Sequence, residues 1–207
     1  MKEREEIATS SQPKENNTSS TKTELPNLLS ELEKIKNEGN ALYKEKKIDD
    51  AKSKFTQGIK LFDDNYSLIN KESETNSEIF FLHKKILSNL ALCYYIQGMY
   101  KDAIFYDLKL ISHYPKFGKS FVRLIKSYSK INKIQQSVKF GEFFLELDQE
   151  IQDKFKGIKE FIKNENIKLN KIQKEEDEKN KKKLIKFILP ALVLFLAVVF
   201  FLLRRKK

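Results

Sequence analysis

The chain has one cysteine, Cys93, no tryptophan, and only 6 glycines, 4 prolines and 2 histidines among its 207 residues. A single thiol excludes an internal disulfide framework and a zinc cluster built from several thiolates, and it is consistent with a reducing compartment. So few glycines and prolines cannot supply the many tight turns of a sandwich or barrel, so an all-β fold is disfavoured. His83 and His113 have no acidic residues around them at metal-ligand spacing, and no metal site is expected. No phosphate-cradling glycine loop or catalytic-triad spacing occurs either. The expectation is a chain that is not an enzyme and carries no cofactor. Its length suits one domain, not a catalytic domain beside a binding domain.

What the sequence does have is 40% hydrophobic and 33% charged residues, the balance of a helical core with solvated faces. The net charge of +11 is uneven: the segment from Lys171 to Lys207 holds eleven basic and four acidic residues, most of the excess. Basic character alone would suggest nucleic acid. Here the run Glu175 to Glu178 interrupts it and an apolar segment adjoins it, so lipid headgroups are the expected contact and nucleic acid is not.

That apolar segment, Phe187 to Leu203, runs seventeen positions without a charge, and starting from Leu184 it reaches twenty with Lys186 as the one interruption. Twenty helical residues at about 1.5 Å each span about 30 Å, the thickness of a bilayer's hydrocarbon core. Lys186 lies close enough to the end to snorkel, and Pro190 falls near the first turn, where it does least harm. A buried core helix would show a polar stripe, and this segment shows none. Residues 184–203 are therefore expected to be a transmembrane helix in a lipid bilayer, with 204–207 as a basic tip. The first residues contain no apolar stretch that could act as a signal peptide, so a tail-anchored protein facing the cytosol is expected, with Lys181, Lys182 and Lys183 on the cytosolic side. The sequons at Asn16, Asn17 and Asn65 should then be unused. The basic tip beside a modest span is similar to mitochondrial outer-membrane anchors and the strong hydrophobicity to endoplasmic reticulum anchors; the reading leans towards mitochondria.

Residues 1–27 are polar and read as a disordered arm. From Leu28 onward apolar residues recur at helical spacing, and an internal period appears. Gly39, Ala91 and Ile125 align; twelve residues later come Ala51, Ala103 and Ser137, and four later Phe55, Asp107 and Gly141. The second interval is 34 residues, and the first, 52, is the same period plus an insertion of 18 at about 66–83. Small residues let the two helices of a repeat approach, and Pro115 ends a repeat. The third repeat carries Ile125 where a small residue is usual and Gly141 in place of an aromatic, so a looser crossing is expected there. Ile151, Phe155, Ile158, Phe161 and Ile162 share one side of a following helix, suited to capping the array, and the rest to 183 is a charged spacer. Cys93 and the tyrosines Tyr43, Tyr94, Tyr95 and Tyr128 read as core or groove wall.

The lines IKNEGNALYKEKKIDDAKSKFTQGIKLF, ILSNLALCYYIQGMYKDAIFYDLKLISHYP and SFVRLIKSYSKINKIQQSVKFGEFFLELD, at a period of 34, resemble tetratricopeptide repeats. The resemblance implies an all-α domain over 28–150: three helix-turn-helix repeats at about 32–65, 84–117 and 118–151, followed by a capping helix and spacer over 151–183. In the first helix of each repeat, positions 2, 5, 6 and 9 lie opposite the packing positions and should face a concave groove. They hold Lys36 and Asn40, then Asn89, then Lys119 and Arg123.

Lysine and arginine offer charged donors, asparagine neutral ones, and no acid occupies those five positions, so the groove should bind carboxylates. The five residues resemble the carboxylate clamp of tetratricopeptide co-chaperones, which grips the C-terminal Glu-Glu-Val-Asp of cytosolic heat-shock chaperones of the seventy- and ninety-kilodalton classes. The resemblance implies Lys36, Asn40 and Asn89 on the terminal carboxylate, and Lys119 and Arg123 on the last Asp side chain and nearby backbone. Arg123 is the one arginine between Arg4 and Arg204. Its replacement by Ala should weaken peptide binding by roughly 1 to 3 kcal/mol and leave helicity intact. The expected function is a membrane-anchored co-chaperone or adaptor that docks chaperones at an organelle surface for protein targeting. The alternative is a structural adaptor for organelle shape or fission that binds an internal segment of a partner. A relative of membrane-anchored immunophilins is a third reading, though residues 1–27 are too short for an isomerase domain.

Overall fold

The computed structural model describes residues 18–69 and 74–205, and every regular element among them is helical. Most of the N-terminal arm, with Asn16 and Asn17, and the tip residues Lys206 and Lys207 lie outside the described residues. The chain divides into two compact units, residues 1–93 and 94–207.

In the first unit, α1 (Thr18–Lys44) packs against α2 (Ile48–Asp64), and α3 (Glu74–Ile96) follows a short 3₁₀ turn at Tyr66–Leu68. Leu28, Leu32 and Ile35 repeat at helical spacing and bury one face of α1. The arm expected over 1–27 is corrected by this helix, which reaches back to Thr18 and passes through Pro26. Proline forfeits one backbone bond, but extending an existing helix avoids the cost of a new nucleus. On α2, Asp49 and Asp50 sit in the first turn and complement the helix dipole, while Ala51, Phe55, Gly58, Ile59 and Phe62 form the buried stripe. A Cβ built on Gly39 would overlap the Phe55 ring, so the crossing of α1 and α2 needs glycine there.

The insertion expected at 66–83 is also partly helix, since α3 begins at Glu74, ten residues ahead of Lys84. Aromatic packing explains its order. His83 is buried and stacks on Phe62 with ring centroids 3.8 Å apart, and Phe80 meets Phe62 edge-on at 5.7 Å.

The second unit takes in the end of α3, then α4 (Tyr100–His113), α5 (Gly118–Lys130), α6 (Ile134–Leu145), the short α7 (Gln149–Asp153), α8 (Ile158–Lys183) and α9 (Leu189–Arg204). Tyr94 stacks on Tyr106 and, one period later, Tyr128 stacks on Phe140, at 5.3 and 5.4 Å. The third crossing is not loose: Ile125 and Ser137 are both fully buried, and the Ser137 hydroxyl donates to the Ile125 carbonyl at 2.8 Å. A Cβ on Gly141 would lie 2.9 Å from Ile162, so the missing aromatic makes room for α8. Gly118 likewise admits Ile151 and Phe155. Phe121, Ile125, Phe144, Ile158 and Ile162 form the buried cluster that caps this end.

From Ile158 to Arg204 the chain is one helical run of 47 residues, long and apolar enough at its C-terminal end to cross a membrane. Its apolar end has no buried side chain. A π-helical turn at Leu184–Ile188 precedes Pro190, which opens α9. Proline has no N–H for the carbonyl of Lys186, and a wider turn just before it accommodates that gap.

The three turns that join the helices of each repeat share one geometry. Lys46, Gly98 and Asn132 have φ of 63°, 75° and 60°, and they recur at the intervals of 52 and 34 seen in the sequence. After each, the next N–H donates five residues back: Lys47 to Leu42, Met99 to Tyr94, and Lys133 to Tyr128, at 3.0, 3.0 and 2.9 Å. This is the Schellman closure, which favours Gly or Asn at its left-handed position. Lys46 is the misfit. Replacing it by Gly should stabilise the fold by about 0.5 to 1 kcal/mol, and Gly98→Ala, whose new methyl would meet nothing, should destabilise it by about 1 kcal/mol. Urea unfolding followed by circular dichroism checks both, and a K46G variant no more stable than the parent would contradict the assignment.

Candidate functional site

Three of the five expected groove residues lie in the first unit. Lys36 and Asn40 are one turn apart on α1, both half-buried, and Asn89 is half-buried on α3. The structure brings the two amides together: Asn89 Nδ2 donates to Asn40 Oδ1 at 2.7 Å. That bond uses the acceptor of Asn40 and leaves three amide N–H donors on the pair. Lys36 Nζ lies 3.3 Å from Glu33 Oε1 on the same helix, and Glu33 is largely exposed, so this is a weak surface pair that a better acceptor can displace.

Lys119 and Arg123 lie in the second unit, one turn apart on α5, and they differ sharply. Lys119 is exposed, with no ion-pair partner among the described residues. Arg123 is only 8% exposed, and its guanidinium is forked on Asp107 of α4: Nε–H donates to Oδ2 at 2.7 Å and Nη2 to Oδ1 at 2.6 Å. Asp107 is fully buried. Burial pushes its carboxyl up to about 6, against the opposing pull of the Arg123 charge, so it remains ionised at neutral pH. Tyr95 lies near the same group; burial raises its hydroxyl, Tyr100 adds to that, and Arg123 opposes it.

The sequence reading missed Asp107. A signal was present: Asp107 aligns with Phe55 and Gly141, at a position that packs against a neighbouring helix, and it precedes the one arginine of the repeats by sixteen residues. An acid at a buried register needs a partner, and Arg123 is the cation that supplies it. Cys93 is buried, in keeping with its expected place in the core.

No family model matches the chain, and no curated protein does. Solved structures do. The C-terminal TPR-containing domain of a Plasmodium falciparum FK506-binding protein, PFL2275c, superposes with a TM-score of 0.61 at 17% identity, over 72% of this chain and 95% of that one. The fold is a tetratricopeptide-repeat fold. The Hsp90 co-chaperone Cns1 from Saccharomyces cerevisiae is similar too, with a TM-score of 0.53 at 22% identity, over 73% of this chain. The match spans 43% of the Cns1 chain. The tetratricopeptide architecture accounts for the three turns of shared geometry and for the small residues at the crossings.

The ion pair corrects one expectation. Replacing Arg123 by Ala would not leave the fold untouched, because it strands a buried carboxylate. R123A should lose about 3 to 5 kcal/mol of stability, the range for breaking a buried pair from one side. Chemical denaturation of R123A beside K119A checks this: K119A, on an exposed site, should lie within about 0.5 kcal/mol of the parent.

Proposed function

We propose that this chain is a membrane-anchored tetratricopeptide adaptor that holds the acidic C-terminal tails of heat-shock chaperones through Lys36, Asn40, Asn89, Lys119 and Arg123. The observation that carries the reading is the Asn40–Asn89 amide pair, which offers N–H donors beside Lys36 in a fold shared with a co-chaperone. Neutral amides and a lysine together suit a terminal carboxylate, which takes charge-assisted bonds of roughly 1.5 to 3 kcal/mol each before desolvation. The basic residues Lys119 and Arg123 suit the side chain of a final Asp.

Residues 184–203 serve as the anchor in this reading, supported by their length, their apolar composition and the lack of any buried side chain among them. The three lysines Lys181 to Lys183 at the end of α8 suit the cytosolic face, which puts the repeats where chaperones are. The membrane is that of an organelle, mitochondrial outer membrane ahead of endoplasmic reticulum, and a chaperone held there would deliver its client to that surface.

One observation favours a second reading. One edge of Arg123 and much of its charge are already taken by Asp107, which suits an adaptor that grips an internal segment of a partner and needs no free carboxylate. Peptide-binding anisotropy with the full chain in lipid nanodiscs separates the two. N89A and K36A should each weaken a labelled peptide ending in Glu-Glu-Val-Asp about tenfold, the loss of one charge-assisted bond. Unchanged affinity in both variants would leave the second reading in place.

A further inference from the structure

Asp107 and Arg123 form an ion pair inside the second unit, on adjacent helices, at a place where the proposed function needs a cation. The pair is side-on. It uses Nε–H and one N–H of Nη2, and it leaves both N–H groups of Nη1 and the second of Nη2, of which one from each nitrogen lies along the end edge of the guanidinium. That edge keeps the two parallel donors that a second carboxylate fork would need. The charge is another matter. With a fully buried carboxylate 2.6 Å away, an incoming anion meets a dipole in place of a full positive charge. One turn earlier on α5, Lys119 is exposed and keeps its charge.

From this geometry we infer that Asp107 is a built-in carboxylate that masks the charge of Arg123 and fixes its orientation. This end of the site then reads a partner's acid by hydrogen-bond shape and leaves the long-range attraction to Lys119. The inference rests on the carboxylate-binding reading of α5 and gives it a specificity determinant: acidic tails that present a correctly placed carboxylate bind, and tails that are merely negative gain little from Arg123. Asp107 acts through Arg123, so it is a positioning residue that need not touch the ligand.

The test measures the affinity of the full chain in nanodiscs for an acidic peptide ending in Glu-Glu-Val-Asp across a salt series, with thermal melts to follow the fold. D107N keeps the shape of the side chain and removes its charge. It should bind the peptide about three- to tenfold more tightly at low salt, and the gain should shrink as ionic strength rises, because an unmasked charge is screened. The double replacement D107L/R123M removes the pair as a neutral unit and strands neither partner, so it serves where D107N fails to fold. It should bind more weakly than the parent with the same salt dependence. Equal or weaker binding by a folded D107N overturns the inference, as does a shallower salt dependence in D107L/R123M, which would mean that Arg123 had acted as an open charge. Absence of binding by the parent and both variants removes the carboxylate reading itself. Binding by D107N where the parent shows none supports masking in its strongest form.

Discussion

Each repeat must bring two helices close enough to bury their apolar faces, and one pair of positions decides how. In the first repeat Gly39 leaves room for the Phe55 ring, which fills the crossing by itself. In the third repeat Gly141 takes the place of that ring and admits Ile162 of α8, while a hydroxyl from Ser137 ties α6 to the Ile125 carbonyl. In the second repeat the same position holds Asp107, and an acid with no access to water cannot stand alone. Its partner comes from the next helix. The apolar ring, the small residue and the ion pair thus answer one geometric demand, and only the last brings charge into the interior.

A buried ion pair is a poor source of net stability, because taking two charges out of water offsets most of their attraction. Its effect is on geometry. The two bonds at 2.6 and 2.7 Å hold one edge of the guanidinium and fix the direction of the other. That is why Arg123, read from sequence as an open cation, is better described as an oriented set of donors. On the proposed reading, the contrast with the exposed Lys119 on the same helix separates two jobs that composition alone would merge: attraction at long range, and fit at short range.

The period of 34 was legible because it is written in small residues at the crossings, and the left-handed turn residues Lys46, Gly98 and Asn132 keep the same intervals. The turn itself was harder to see, since a lysine stands where glycine or asparagine would mark it. The N-terminal extension of α3 to Glu74 was hidden because its stabilising contacts, Phe62 with Phe80 and with His83, join residues far apart in the chain. The N-terminal extension of α1 across Pro26 was hidden by local composition, since a proline preceded by a polar stretch with little to bury favours a loop. Among the groove residues, helical spacing gave the shared face of Lys36 and Asn40 and of Lys119 and Arg123. It could not give Asp107, because a position sixteen residues away meets Arg123 only through the packing of α4 on α5.

On the proposed reading, α8 begins against the repeats, where Ile158, Ile162 and Glu165 are buried, and its charged remainder leads to a bilayer that begins near Leu184. On that reading, an anchored site keeps what its partners carry near the membrane. The central claim is that a free terminal carboxylate is what the site holds. Calorimetric titration of the full chain in nanodiscs with an acidic peptide ending in Glu-Glu-Val-Asp, beside the same peptide amidated at its C-terminus, tests it most directly. The account predicts binding of the free acid and at least tenfold weaker binding of the amide, about the loss of one charge-assisted contact. Equal affinity for the two peptides would contradict it.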